Sequence, residues 1–174
     1  MSVLSAVRFA GRRRSGGRVK RAGLGVAALA AAAGLPLAVA APAWAGAKGV
    51  TATITVGASP YGAAVDSTTG TVYVANNAAG TVSVISEASG TVTATITVGA
   101  GPFGAAVDPT SGSVYVANTL GNTVSVISEA TNTVTATIPV GNAPDAVAAD
   151  SKAKAVYVAN ESSNTVSVLA ARPK

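Results

Sequence analysis

Three carboxylates recur at one interval: Asp66, Asp108 and Asp150 stand forty-two residues apart. Three hard oxygen donors gathered on one ring would suit calcium. Each of them leads into a polar, turn-forming stretch, however, where an aspartate bonds the backbone two residues on, so a turn role is the expectation. Asn76, Asn118 and Asn160 keep the same interval and read as strand-ending turn residues, with a polar network as the alternative. Tyr73, Tyr115 and Tyr157 sit in apolar runs and read as core, each hydroxyl finding a partner at a sheet edge. Glu87 and Glu129 read as solvated turn residues.

The composition removes whole classes of chemistry. The chain has no cysteine, which excludes thiolate catalysis, cysteine-held metals and disulfide staples. It has no histidine, so the commonest general base and the commonest metal ligand are missing. Acid–base catalysis needs a positioned titratable pair. None is visible, and Arg172 is the one arginine after the basic start. The expectation is a protein that is not an enzyme, with no cofactor and no metal.

The net charge of +5 is unevenly spread. Arg8, Arg12, Arg13, Arg14, Arg18, Lys20 and Arg21 precede any acid, whereas from Gly46 onward five basic residues face seven acids. The second part is thus slightly acidic, and no nucleic-acid partner is expected. The basic start is followed by an apolar run from Leu24 to Ala41 and by "APAWAG", with small residues at Ala43 and Ala45. These are the three zones of an export signal, expected to be removed after Ala45. An uncleaved membrane anchor is the alternative, against which stand Gly34, Pro36 and the alanine-rich make-up. Residues 1–45 are thus the export signal and 46–174 the exported domain, placed outside the cell or on its surface. Contact with a membrane is expected only through the signal.

The elements that position the recurring residues follow from the repeat itself. Three ungapped units, near 50–91, 92–133 and 134–174, share Gly57/Gly99/Gly141, Pro60/Pro102/Pro144, and "TVSVI", "TVSVI", "TVSVL". A period near forty-two with four short β-type runs marks propeller blades. In the first unit the runs are A (Gly62 to Asp66), B (Thr71 to Asn76), C (Thr81 to Ser86) and D (Thr91 to Val98), rich in Val, Ile, Thr and Tyr. Gly80, Asn122 and Asn164 precede C, and Gly90 and Asn132 precede D, which predicts left-handed backbone at those turns. Strand B is apolar on both faces and strand D alternates, as expected of an inner and an outer strand. In the third unit Lys154 stands where Gly70 and Gly112 do, so the same turn would cost about 1 kcal/mol there.

At "YVAN" (Tyr73, Tyr115, Tyr157), the "VG…P" lead-in and "TVSVI", the chain resembles the YVTN family of β-propeller repeats, with Ala75, Ala117 and Ala159 where that name has threonine. The resemblance runs from about Val50 to Leu169. It implies a propeller of secreted or surface-layer type, most members of which have no assigned activity. Full members carry about seven blades, and this chain has three.

Counting strands sharpens the expectation. "VTATITVG" at Val50 to Gly57 repeats Val92 to Gly99, so the order is D-ABCD-ABCD-ABC: all-β, three four-stranded antiparallel blades, and an incomplete propeller unless a partner closes it. The expected partner is a second copy, paired head to tail so that each opening strand enters the other's third blade. Another propeller-containing chain is the alternative, as is a fragment of a larger propeller enzyme of lactonase or lyase type. In a propeller the D-to-A and B-to-C loops ring the channel mouth. That places Tyr61, Phe103 and Asp145 at equivalent positions there, with Asn77, Thr119 and Glu161 further out. Two aromatics and an acid suit a cell-wall glycan or a protein ligand. The alternative is that both rings pack over the glycine–proline lead-in.

Overall fold

The structure, a computed structural model, describes residues 49–171. The export signal, its cleavage point after Ala45 and the last three residues lie outside the described residues.

Eleven strands follow one another: β1 (Pro60–Asp66), β2 (Thr71–Asn76), β3 (Thr81–Ser86), β4 (Thr91–Thr97), β5 (Pro102–Asp108), β6 (Ser113–Asn118), β7 (Thr123–Ser128), β8 (Thr133–Pro139), β9 (Pro144–Asp150), β10 (Ala155–Asn160) and β11 (Thr165–Ala170). One 3-10 turn, Glu161–Ser163, is the helical element among the described residues. The strands form antiparallel sheets in sequence order, β1-β2-β3-β4 and β5-β6-β7-β8, with a third sheet of β9, β10 and β11. The sequence boundaries of B and C in the first unit coincide with β2 and β3, while strand A begins two residues earlier, at Pro60.

Tight turns set this meander. Gly70, Gly80, Gly90 and Gly112 take φ between 61° and 65°, and Asn122, Asn132 and Asn164 take φ 53°. The left-handed turns expected from glycine and asparagine are thus formed. Lys154 keeps the same geometry at φ 54°, so the third unit bears the strain instead of changing its turn. Ser59 (φ 55°) and Ala143 (φ 48°) do likewise where the second unit has Gly101, a strain the sequence did not announce.

Packing follows the burial pattern. Strands β2 and β6 are apolar on both sides, β3 and β7 set valines on one side against Thr, Ser and Ile on the other, and all four are largely buried, whereas β4 and β8 alternate exposed threonines with Ala, Val and Ile. One core joins Tyr73, Val82, Val84 and Ile96 of the first sheet to Val114, Val116 and Ile127 of the second. Another joins Tyr115, Val124 and Val126 of the second sheet to Val156 and Val158 of the third. Each sheet therefore buries one face against the next, the arrangement of propeller blades.

Residues 50–56 join no sheet, so the third sheet has three strands, the A, B and C expected of it in a single chain; β4 and β8 occupy the outer edges of β3 and β7, while that of β11 stays open. One expectation changes: Tyr157 is 43% exposed, unlike the core tyrosines Tyr73 and Tyr115, because among the described residues no further sheet packs on that face of the third one.

Candidate functional site

The innermost strands carry the mouth residues at a break in pairing. Between β1 and β2 the register slips between Pro60 and Ala63, and between β5 and β6 between Pro102 and Ala105. Tyr61 and Phe103 sit in these bulges, which re-aim side chains away from the sheet. In the third sheet Ala159 pairs with Ala146 and Asn160 with Pro144, leaving Asp145 in the equivalent place.

Neighbouring blades bring these residues into a row. The rings of Tyr61 and Phe103 stack with centroids 4.5 Å apart and planes inclined by 26°, so they pack on each other across the blade joint rather than each over its own lead-in. Such a pair is worth about 0.5–1.5 kcal/mol beyond the area it buries. Tyr61 remains 60% exposed and offers a ring face to a ligand. The Thr119 hydroxyl donates to the Pro144 carbonyl (2.8 Å) and to Asp145 Oδ1 (3.1 Å), and Asn77 Nδ2 donates to the Pro102 carbonyl (3.2 Å). Asn77 and Thr119, expected further out on this face, thus tie each blade to the next. Asp145 also lines a shallow depression of about 510 Å³ with Glu161, Asn164 and Val166, at the end of the third blade.

The close approach of the inner strands explains two glycines. A Cβ on Gly62 would lie 2.2 Å from the Phe103 carbonyl oxygen, and one on Gly104 would lie 2.3 Å from that of Asp145. No side chain fits there.

At the opposite end of strand A the aspartates form turns. Asp66 Oδ1 accepts from the Thr68 N–H (2.8 Å), Asp108 Oδ1 from the Thr110 N–H (3.0 Å), and Asp150 Oδ1 from the Lys152 and Ala153 N–H groups (2.9 Å each). The Thr68 hydroxyl bond is the chief cause that holds Asp66 below the usual carboxylate range. Burial pushes Asp108 upward, but bonds from Ser151, Ser111 and Thr110 outweigh it and leave its pKa lowered. The Ser151 contact crosses from the third blade to the second. These are turn-locked carboxylates, each engaged with its own loop, and among the described residues no group of three metal-ligating side chains gathers.

Of two polar devices, sequence reasoning held one only as an alternative and missed the other. Asn76 Nδ2 donates to Thr81 Oγ1 (3.1 Å) and Ser83 Oγ (2.9 Å); Asn118 and Asn160 repeat this with Thr123 and Ser125, and with Thr165 and Ser167. The polar-network alternative is the correct one: asparagine clamps strands B and C together. The recurring glycine of "VG" makes room for it, since a Cβ on Gly57, Gly99 or Gly141 would come within 2.7 Å of that side chain. The second device is the bond between the Tyr73 hydroxyl and Glu129 of the next blade; burial first, and then the charge and hydrogen bond of this carboxylate, raise the tyrosine pKa. Glu129 is therefore a joint residue rather than a solvated one. Its counterpart at the following joint is Ala171, and the buried Tyr115 hydroxyl has no hydrogen-bond partner. The signal lay in the aligned repeats, where Glu87, Glu129 and Ala171 share one column.

Antiparallel sheets meandering outward from an inner strand and packed face to face define a β-propeller-like fold. Solved structures share it. Hydrazine synthase of Kuenenia stuttgartiensis is similar over 66% of this chain and 32% of its own, with TM-score 0.57 and 24% identity. A functionally unknown protein from Desulfotomaculum acetoxidans DSM 771 is similar over 66% of this chain and 42% of its own, with TM-score 0.54 and 21% identity. At these identities the likeness concerns the fold alone, and this chain spans well under half of either structure. No family model matches the sequence, and no curated protein matches it.

Proposed function

We propose that the chain is an exported, surface-located propeller repeat protein of YVTN type, working as a binding or structural module and not as an enzyme. The observation that supports it best is the bare end of the arc. The third blade presents Tyr157, Val166 and Val168 in the open, on the face that the first two blades seal against a neighbour. A contiguous apolar face of this kind marks an interaction surface. The mouth adds a place for a ligand, with Tyr61 as the platform, Phe103 behind it and Asp145 held in place by Thr119. Such a set suits a sugar ring or a peptide, and the ligand proposed is cell-wall glycan.

Co-sedimentation with isolated cell-wall glycan tests the binding role. The protein pellets with the glycan, and the Tyr61→Ala, Phe103→Ala double variant stays in solution with its unfolding midpoint little changed. A protein that never pellets, or a double variant that still does, overturns the glycan site. Export is checked by the mass of the secreted chain, which begins at Gly46.

One observation favours a second reading, part of a larger propeller enzyme of lactonase or lyase type completed by another chain. The two solved structures are far longer than this chain, and Asp145 and Glu161 share a depression at its open end. Turnover of lactone or ester substrates that disappears in Asp145→Asn would establish it.

A further inference from the structure

Resting on the interaction-module reading, we infer that the partner is a second copy of this chain, docked head to tail so that the first blade of one copy seats behind the third blade of the other. The two joints inside the chain are the template. Moving along by one repeat specifies what a third joint requires.

The apolar faces match first. Tyr73, Val82 and Val84 are 2, 0 and 3% exposed because the second blade covers them, whereas Tyr157, Val166 and Val168 are 43, 61 and 62% exposed. On the covering side, Ala105 and Val107 of the second blade pack into the joint, and their counterparts Ala63 and Val65 on the first blade are exposed. What one end lacks the other end offers. The two ends of one chain do not satisfy each other: β1 packs on β5 and β5 on β9, with no such packing between β1 and β9.

Polar groups repeat the match in three places. Tyr73 bonds Glu129 inside the chain; one joint further on, the counterparts are Tyr157 and Glu87 of the second copy. The Ser151 hydroxyl donates to Asp108; the counterparts are Ser67 of the second copy and Asp150. The Ala143 N–H donates to Asn122 Oδ1 (2.9 Å); the counterparts are the Ser59 N–H of the second copy and Asn164. All six groups of the missing joint belong to residues exposed in the single chain. Three donors and three acceptors, split between the two ends, are the complement that an apolar patch alone would lack.

The outer edge supplies the fastening. Strand β11 has one neighbour, β10, and an open edge, an association hazard that calls for cover. Residues 50–57 reproduce 92–99 letter for letter and lie unpaired. The register of β4 on β3, with Val82 opposite Ile96 and Val84 opposite Ala94, carries over to Val166 opposite Ile54 and Val168 opposite Ala52 of the second copy. Strand addition of this kind gives main-chain bonds from the edge and specificity from alternate side chains.

The inner rim is looser. Where Gly62 and Gly104 admit the next carbonyl, the third blade has Ala146, and a Cβ there would meet the Tyr61 carbonyl of the second copy as closely as the 2.2–2.3 Å found inside the chain. The joint between copies is therefore fastened at its outer strand and set wider at the axis. Propellers hold roughly four to eight blades, so three-blade arcs close as two copies with six blades.

Light scattering of the full chain after export tests the inference. The expected mass is that of two chains. Val168→Asp on the third blade and Val65→Asp on the first each give single chains, and mixing the two variants restores a pair, because one of the two joints is then intact. Should either variant fail to fold, Tyr157→Phe combined with Glu87→Gln serves, weakening the pair about tenfold with the single-chain unfolding midpoint unmoved. Single chains from the unaltered protein, or pairs indifferent to these changes, would overturn it. A single chain that still pellets with cell-wall glycan would end this inference and leave the binding-module reading standing.

Discussion

Gly62 and Gly104 show how much of the joint is decided by one absent atom. A Cβ at either would press on a backbone carbonyl at 2.2–2.3 Å, and a carbonyl fixed in a strand cannot swing aside like a flexible side chain. Gly62→Ala or Gly104→Ala should therefore destabilise the chain by about 1–3 kcal/mol, read from the urea midpoint. The tyrosines make a paired contrast. Tyr73→Phe removes a hydrogen bond to a charged group and should cost about 1.5–3 kcal/mol, whereas Tyr115→Phe removes a buried hydroxyl without a partner and should be neutral or stabilising. The raised pKa of Tyr73 adds a second readout. Unfolded tyrosine loses its proton near pH 10.0 while the folded one retains it, so stability falls above that pH, and Tyr73→Phe should flatten the fall. None of this was legible in one repeat. A glutamate reads as solvated until the column Glu87, Glu129, Ala171 is set beside the tyrosine column and the packing of one blade on the next is known.

The strands were legible because every level of the sequence agrees on them. Alternating β-branched residues mark their lengths, and glycine or asparagine at positive φ marks their ends. What escaped was the bulge after Pro60 and Pro102, since its one extra residue falls at Gly62-Ala63-Ala64 and Gly104-Ala105-Ala106, runs of small residues with no large-small alternation to invert. That bulge decides where Tyr61 and Phe103 point, so their mutual stacking was hidden too. Turn chemistry was read correctly, and its energetics follow. Asp66 and Asp108 have lowered pKa values in the fold, so the stability they contribute is complete above the unfolded value near 3.8 and is lost as pH falls through the folded values. Acid unfolding should therefore set in below pH 4, and Asp66→Asn with Asp108→Asn should weaken the pH dependence there while lowering stability at neutral pH. A limb of unchanged steepness in the double variant would mean that these turns contribute little.

At the scale of the whole molecule, the three units differ where their neighbours differ. The first two blades have glycine where another blade must approach, and the third has Ala146, exposed at the end of the arc. If Ala146 simply faced solvent for good, removing its methyl would have the ordinary effect of placing glycine in a strand, a loss of about 0.5–1 kcal/mol from the greater freedom of the unfolded chain. If a second copy seats against this blade, the same change also removes a clash with an incoming carbonyl, and overpacking of that kind is worth about 1–3 kcal/mol. The two effects act on different equilibria. Ala146→Gly should lower the urea midpoint of single chains slightly and tighten the pair by about tenfold, since 1.4 kcal/mol is one decade in Kd. Sedimentation across a dilution series separates them: a tighter pair in a less stable chain is the outcome that a purely local account of Ala146 does not produce, and unchanged or weaker pairing would mean that the inner rim of the joint carries no strain to relieve.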